Sequence, residues 1–414
     1  MEQMDHDVVI AGGGLNGPAL ALALAQGGLR VAVVDAEPAR ARADVAFDGR
    51  AYALALASVR LLTAIGIWPG LADKAQPMTA VRAVGGTAGE GPLPFGLHFD
   101  SAELEEGAVG HMLEDRHLYA AFLAAMQADA RITHIPQTRV TAQATTPGGV
   151  TVDLSDGRHL RAALLVGADG RRSGVAERAG IRREGWGYGQ TALVCAIDHD
   201  LPHDGVAWQF FMENGPLAIL PLPPGNRSSI VWSETDTNAR AIASLDDAAF
   251  LAVLRPRFGD FLGSIRLAGP RFTYPLNLTL ARDYIGPRIA LIGDAAHGVH
   301  PIAGQGLNLG LRDVAALAEV LIEARRRGED IGSPVTLDRY QSWRRFDSTT
   351  LALGMDAVNR LFSNANPVLK LGRHLGMGLV NAIGPLRRGF MRTAAGLRPP
   401  MGAPQPKLLT GQRP

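Results

Sequence analysis

One cysteine, Cys195, is all that the 414 residues contain. It has no internal disulfide partner, and no CxxC or Cys/His cluster exists to hold zinc or an iron–sulfur group. A reducing compartment is the natural expectation. No run reaches 18 uninterrupted apolar residues, so no spanning helix is expected. The stretch Met1 to Asp7 is acidic and leads straight into an apolar strand, unlike a signal peptide. A net charge of +1 gives no global field for nucleic acid. Acid is missing in one place: no Asp or Glu follows Asp356. Arg360, Lys370, Arg373, Arg387, Arg388, Arg392, Arg398, Lys407 and Arg413 are all basic.

What is present is apolar enough for a large core: 47% hydrophobic against 20% charged. The length suits two domains. Val8 to Ala11 reads as a buried strand, Gly12 to Gly17 as a turn, and Pro18 to Gln26 as a helix stopped by Gly27 and Gly28. Val31 to Asp35 completes a βαβ unit. Helices are expected over Ser58 to Ile65 and Arg116 to Ala128. A meander follows, with strands at Thr138–Thr145, Val150–Leu154 and His159–Val166. From Thr191 to Tyr274 the pattern is β-rich, which predicts a second domain built on a sheet. An apolar strand near Ile289 returns to the first domain. The chain is then mainly helical to Leu397, with a loose tail from Pro399.

Gly12-x-Gly14-x-x-Gly17, with Leu15 and Asn16 inside it, opens the first helix, and Asp35 ends the next strand. In that context the glycines predict a dinucleotide site. Gly12 permits the tight turn, Gly14 admits a pyrophosphate to the backbone, and Gly17 lets helix and strand pack closely. The helix N-terminus faces the phosphates, and Asp35 would hold the adenosine ribose. Gly86 to Gly91 has no following helix and reads as a loop. One fingerprint therefore implies one resident dinucleotide. Asp169, and Asp294 after Gly293, end apolar strands, where ligands of parallel α/β sheets collect. Each is either a ligand for a polyol chain or a helix N-cap.

His300 to Asp313 holds three glycines, a proline and a glutamine at a strand-to-helix junction. If the dinucleotide is FAD, the ribityl chain lies near Asp294. The isoalloxazine then meets Pro301 and the helix start at Gly304, Gln305, Gly306, Leu307 and Asn308. Helix N–H groups would stabilise the negative charge of reduced flavin. His297 and His300 have metal-like spacing but no third ligand, so no metal is expected.

These motifs resemble the class A FAD-dependent aromatic hydroxylases over most of the chain. The resemblance rests on Gly12 to Gly17, Leu165 to Gly170 with Ser173, and Gly293 to His297. The form of residues 300–313 is similar to the ubiquinone-biosynthesis branch (UbiH/UbiF type). So are Arg50 to Leu54 through Ser58, Leu61 and Leu62, Gly215 to Pro221, and Phe390 to Arg392 with Gly396. The resemblance implies an α/β FAD-binding Rossmann-like domain of the glutathione-reductase type, over 1–75, 101–180 and 281–330. A β-sheet substrate domain is inserted at 76–100 and 181–280, and a helical C-terminal region spans 331–414. It adds Arg50 and Arg116 as FAD contacts. One departure is at Ala176, where much of the class has arginine. Arg178 lies two residues on, so either NAD(P)H or a redox partner protein is the electron donor.

The implied reaction uses O2 and a flavin C4a-hydroperoxide to hydroxylate the ring of a polyprenylated phenol. Such a site must exclude water and stabilise charge on flavin and phenolate. Pro301 to Asn308 are the candidates for flavin electrostatics. His300, Pro301 and Gln305 are the candidates for substrate or oxygen contacts. Trp208, Phe210, Phe211 and Leu220 either face the flavin or form ordinary sheet core. The series Val368, Leu369, Leu371, Leu375, Met377, Leu379, Val380 and Ile383 carries interspersed basic residues. It fits peripheral contact with an anionic membrane, on its cytoplasmic face, or packing against the FAD domain or another ubiquinone-biosynthesis protein. Hydroxylation of a small soluble aromatic, or a flavin-bound scaffold without turnover, are the competing functions.

Overall fold

The computed structural model describes residues 4–39, 49–87, 91–103, 105, 107–212, 214–299, 304–345, 383–397 and 404–414. The expected contacts His300 and Pro301, and all of the apolar series except Ile383, lie outside these residues.

Strands β1 (His6–Ala11), β2 (Val31–Val34), β8 (Ile132–Ile135), β11 (His159–Gly167) and β19 (Ile289–Leu291) form a parallel sheet in the order β19-β11-β1-β2-β8. β18 (Ile285–Gly286), β10 (Gly149–Leu154) and β9 (Val140–Thr146) extend it as antiparallel additions. The inner parallel strands β1 and β2 are near-continuous apolar runs because helices cover their faces. Val8, Val9 and Ile10 are fully buried. Helix α1 (Asn16–Gln26) is rich in Ala and Leu, strong helix formers, and buries nearly its whole length. It packs on α7 (Gln305–Arg326), where Gly27 lies so close to Ile322 that any side chain would collide. α2 (Leu56–Ala64) and α3 (Asp115–Ala128) complete this body. Their apolar residues recur at helical spacing, as Leu118, Phe122 and Met126 do.

A small sheet of β3 (Ala51–Ala55), β7 (Gly110–Glu114) and β4 (Gln76–Met78) joins the first body to a nine-stranded sheet. The large sheet runs β20 (His297–Gly298), β17 (Phe272–Ala281), β12 (Arg183–His199), β15 (Arg227–Thr235), β14 (Gly215–Leu222), β13 (Val206–Met212), β5 (Ala80–Thr87) and β6 (Gly91–Asp100). β16 (Ile265–Leu267) pairs with β12. Every pairing is antiparallel except β13 with β5. Alternation gives the sheet two unlike faces. The outer face carries Leu193, Phe210, Leu217, Ile219, Ile230 and Trp232 against α5 (Asp236–Ala243) and α6 (Asp247–Phe258). The inner face turns toward β3 and β7.

Two expectations are corrected. Gly86 to Gly91 is not a plain loop: Gly86 pairs with Pro92 and Thr87 with Gly91, closing a hairpin. Its prolines are tolerated because β6 is an edge strand, where a missing N–H disrupts no inner ladder. Nor is the whole tail loose. Residues 404–414 dock on α2 and α7, with Leu408 and Leu409 buried and Lys407 paired to Glu319 and Glu323. Two leucines together bury enough apolar surface to order a short segment.

Candidate active site

The carboxyl ends of β1, β11 and β19 are neighbours in the sheet, since Gly167 pairs with both Ala11 and Leu291. That register gathers the Gly12 turn, Asp169 and Asp294 at one edge, where a ligand of this architecture lies. Gly12 has φ +115°, and a side chain there would run into the Ala168 carbonyl. A side chain on Gly17 would strike the Gly12 carbonyl. The first turn of α1 has no acidic residue and no side-chain cap, so its N–H groups are available to an anion. Gly13, one of the unspecified motif positions, is equally constrained: a Cβ there would overlap the Asp35 carboxylate. Asp35 is buried, accepts the Glu37 N–H at 3.1 Å, and has the Tyr119 hydroxyl 3.5 Å away.

Asp169 Oδ2 accepts the Val175 N–H at 3.0 Å, while its Oδ1 is buried without a partner among the described residues. The N-cap of the short helix α4 (Gly174–Arg178) is Ser173, whose Oγ accepts the Ala176 N–H. Ala176 itself is fully buried, so this position has no room for the arginine common in the class. Asn16 Oδ1 is a second buried acceptor without a partner among the described residues. Its amide lies against Gly293 and Gly310, so one side chain touches both the Gly293–Asp294 turn and α7. Asp294 pairs with Arg171 at 3.1 Å. Arg171 also donates to Asn277 Oδ1 at 2.8 Å and to the Val299 carbonyl at 3.2 Å. Nothing in the sequence spacing pointed to Arg171 or Asn277.

α7 begins after Gly304, which is left-handed at φ +63° and presses on Ala53 of β3. Gln305, Gly306 and Leu307 form a first turn without acid, all partly exposed. The side chain of Asn308 is used elsewhere. Its Oδ1 accepts from Ala55 N and Ser58 Oγ, and its Nδ2 donates to the Ala53 and Gly304 carbonyls. Its side chain thus holds the helix start against β3. Arg50 lies 3.7 Å from Asp115, and Arg116 pairs with Glu114 at 2.6 Å. Both sit where β3, β7 and α3 meet.

His297 is a structural hydrogen-bonder in a buried charge network with Asp313 and Arg344. Burial alone would lower the pKa of His297, but the charge and hydrogen bond of Asp313 outweigh it and raise the value. Burial would likewise raise Asp313, yet His297 and Arg344 hold it below the usual carboxylate range. The four aromatic and apolar candidates on the sheet divide by strand parity. Trp208 and Phe210 pack on the outer face with Phe261, which removes them from the flavin side. Phe211 and Leu220 are on the inner face.

A turn for a pyrophosphate, a carboxylate for a ribose, carboxylates near a polyol and a bare helix N-terminus describe a flavin dinucleotide site. The family model for the FAD binding domain matches residues 5–351. The ubiquinone hydroxylase UbiL of Rhodospirillum rubrum is 46% identical, over 98% of this chain and 92% of its own. The chain belongs to the class A FAD-dependent hydroxylases, in their ubiquinone-biosynthesis branch. The 3-demethoxyubiquinol 3-hydroxylase of Escherichia coli is 36% identical, covering 96% of this chain and 100% of its own. The p-nitrophenol 4-monooxygenase PnpA of Pseudomonas putida superposes with a TM-score of 0.78, over 95% and 98% of the two chains. At 21% identity that match speaks for the fold alone. This hydroxylase is thus a flavoprotein monooxygenase. FAD also fits the local chemistry: it brings donor hydroxyls to a region where Asn16 Oδ1 and Asp169 Oδ1 are buried acceptors with no partner among the described residues.

Proposed function

We propose that this hydroxylase inserts one oxygen atom from O2 into the aromatic ring of a polyprenylated phenol on the way to ubiquinone. The observation that carries the reading is the meeting of four parts in one place: the Gly12 turn, Asp169, Asp294 and the bare first turn of α7. Bound FAD, reduced by NAD(P)H or a redox partner, supplies the oxygen chemistry. Gly12, Gly14, Leu15, Asn16 and Gly17 take the pyrophosphate, with the N–H groups of α1 aimed at it. Asp35 accepts from the adenosine ribose. Asp169, Gly293 and Asp294 hold the ribityl side, with Arg50 and Arg116 as neighbouring cations. The helix start at Gly304 to Asn308 meets the end of the ring where negative charge develops, and its N–H groups stabilise that charge. The large sheet closes over this end and excludes water.

The same reading divides the chain into FAD binding over 1–75, 101–180 and 281–330, substrate binding over 76–100 and 181–280, and a helical C-terminal region over 331–414. Peripheral contact with an anionic membrane on its cytoplasmic face is part of the same proposal. It is supported by helix α8 (Gly384–Ala394), which exposes Phe390 beside Arg388 and Arg392. Among the described residues no helix is long and apolar enough to cross a membrane.

The test is removal of the gene followed by identification of the quinone precursor that accumulates. A polyprenylated phenol lacking one ring hydroxyl is expected. Normal ubiquinone in a strain without a second hydroxylase overturns the proposal.

A further inference from the structure

The middle of the inner face of the large sheet is lined mostly by small or apolar side chains, with the Arg227–Asp198 ion pair at its margin beside Leu222. Cross-strand register sets them in rows. One row reads Phe272, Val194, Val231, Ala218, Gln209, Ala83 and Leu97 across seven strands. The next row contains Ala196, Ser229, Leu220 and Ala207. At one corner Ala207, Leu220 and Leu222 pack on Met112, Ala51 and Ala53 of the small sheet. Ala53 in turn touches Gly304 at the start of α7. At the opposite corner Leu278 and Tyr188 pack on Val299 and on Leu309 in the second turn of α7. The sheet is therefore pinned at two corners around the α7 N-terminus, and the row through Gln209 crosses between them. Val194, Val231 and Gln209 are all partly exposed there.

Gln209 is the exception in that row. Its amide makes no hydrogen bond with any described residue. Gln190, the other glutamine on this face, donates to the Asn214 carbonyl, and Ser229 and Ser233 are buried. Gln209 stands two residues along β13 from Ala207, roughly 7 Å from the corner that touches β3. A long neutral amide left free on an apolar floor can both donate and accept. It cannot take a proton, so it orients a phenol without fixing its ionisation.

We propose that Gln209 is a specificity-determining residue that hydrogen-bonds the ring hydroxyl of the phenolic substrate, with Ala218 leaving space for the ring beside it. The proposal rests on the reading of this hydroxylase as acting on a prenylated phenol. A site built to hydrogen-bond a hydroxyl rejects analogues that lack it, whereas an apolar wall does not. Gln209 thus decides between phenols and their deoxy counterparts, while the small residues decide ring size.

The test uses FAD-loaded enzyme with 2-farnesylphenol and farnesylbenzene as probes, binding being read from the flavin absorbance change. Gln209→Leu is expected to weaken 2-farnesylphenol about tenfold and leave farnesylbenzene unchanged, as for loss of one hydrogen bond. Ala218→Leu is expected to weaken both probes, because the added side chain fills the space the ring needs. Flavin content and melting temperature establish that each variant is folded. The proposal is overturned if Gln209→Leu binds both probes as the wild type does, or weakens both equally. It is also overturned if a folded Ala218→Leu protein binds both normally. Wild-type enzyme that binds neither probe would instead remove the prenylated-phenol reading on which the proposal rests.

Discussion

His297 Nε2 lies 2.6 Å from Asp313 Oδ2, and both side chains are shut away from solvent. The same oxygen accepts the Gly293 N–H at 2.9 Å, while Arg344 Nε donates to the other oxygen at 2.7 Å. One carboxylate on α7 therefore holds the Gly293–Asp294 turn, the strand after it and the helical stretch at 334–345. Its role is to fix two cofactor segments relative to one another. Removing one partner of a buried ion network leaves uncompensated charge, at a cost of about 3–5 kcal/mol. Asp313→Asn is expected to lose that much in urea unfolding of the FAD-loaded enzyme. A midpoint equal to the wild type would show that the network contributes nothing.

The network also makes stability depend on pH, with a definite sign. The folded pKa of His297 is raised above its ordinary 6.5 despite burial, because Asp313 favours the charged ring. Its contribution is complete below that ordinary value and is lost as pH rises through the raised one. Asp313 is lowered from 3.8, so its contribution is present above that value and lost as pH falls through the folded one. Stability should decline on the alkaline side in the wild type, and more weakly in His297→Gln. Urea midpoints measured from about pH 6 to pH 9 decide this; parallel curves would contradict it.

Gly13 gives a test of the dinucleotide turn away from the motif glycines. A methyl group there would lie 2.3 Å from Asp35 Oδ2 and 2.6 Å from its Cβ. Because the Cβ is involved, rotating the carboxylate does not relieve the clash. Gly13→Ala should shift Asp35 or the turn and weaken FAD at least tenfold, a loss of about 1.4 kcal/mol. Titration of apoprotein with FAD, followed by flavin fluorescence, measures it. Unchanged affinity would mean that Asp35 does not hold the nucleotide.

Asn308 supports the far end of the cofactor through four hydrogen bonds to Ala53, Ala55, Ser58 and Gly304. Asn308→Ala leaves the buried Ala55 N–H and Ala53 carbonyl unpaired, at about 1–3 kcal/mol for each group. The visible flavin spectrum should change as well, because β3 and the α7 start lose their link. A stability loss with no spectral change would place the flavin ring away from this junction.

Much of this was legible in the sequence, for a physical reason. Gly12, Gly17, Asp35 and Gly304 answer to local rules of turn, helix start and backbone approach, and local rules leave local signatures. Arg171, Asn277 and Arg344 could not be read, because each acts across more than thirty residues of chain. Arg171 meets Asp294 only because β11 and β19 are neighbours. The sides taken by Trp208 and Phe211 follow from strand parity, but parity assigns no face until the sheet is docked. The tail was misjudged because its prolines suggested a loose chain, whereas its two leucines had a groove waiting between α2 and α7.

That docked tail supplies a last test. Leu408 is 1% exposed, Lys407 N donates to Glu319 at 2.7 Å, and Lys407 Nζ reaches Glu323 at 2.9 Å. Arg413 donates to the Ala64 carbonyl at the end of α2, and Trp343 to the Pro404 carbonyl. The charged contacts are exposed enough to add little, so packing of the leucines carries the attachment. Leu408→Ala should therefore cost about 2–5 kcal/mol, as for other buried leucines. Lys407→Ala should cost under about 1 kcal/mol. Urea unfolding of the two variants side by side gives the comparison. If the order were reversed, the tail would be held by its charges, and high salt would release it.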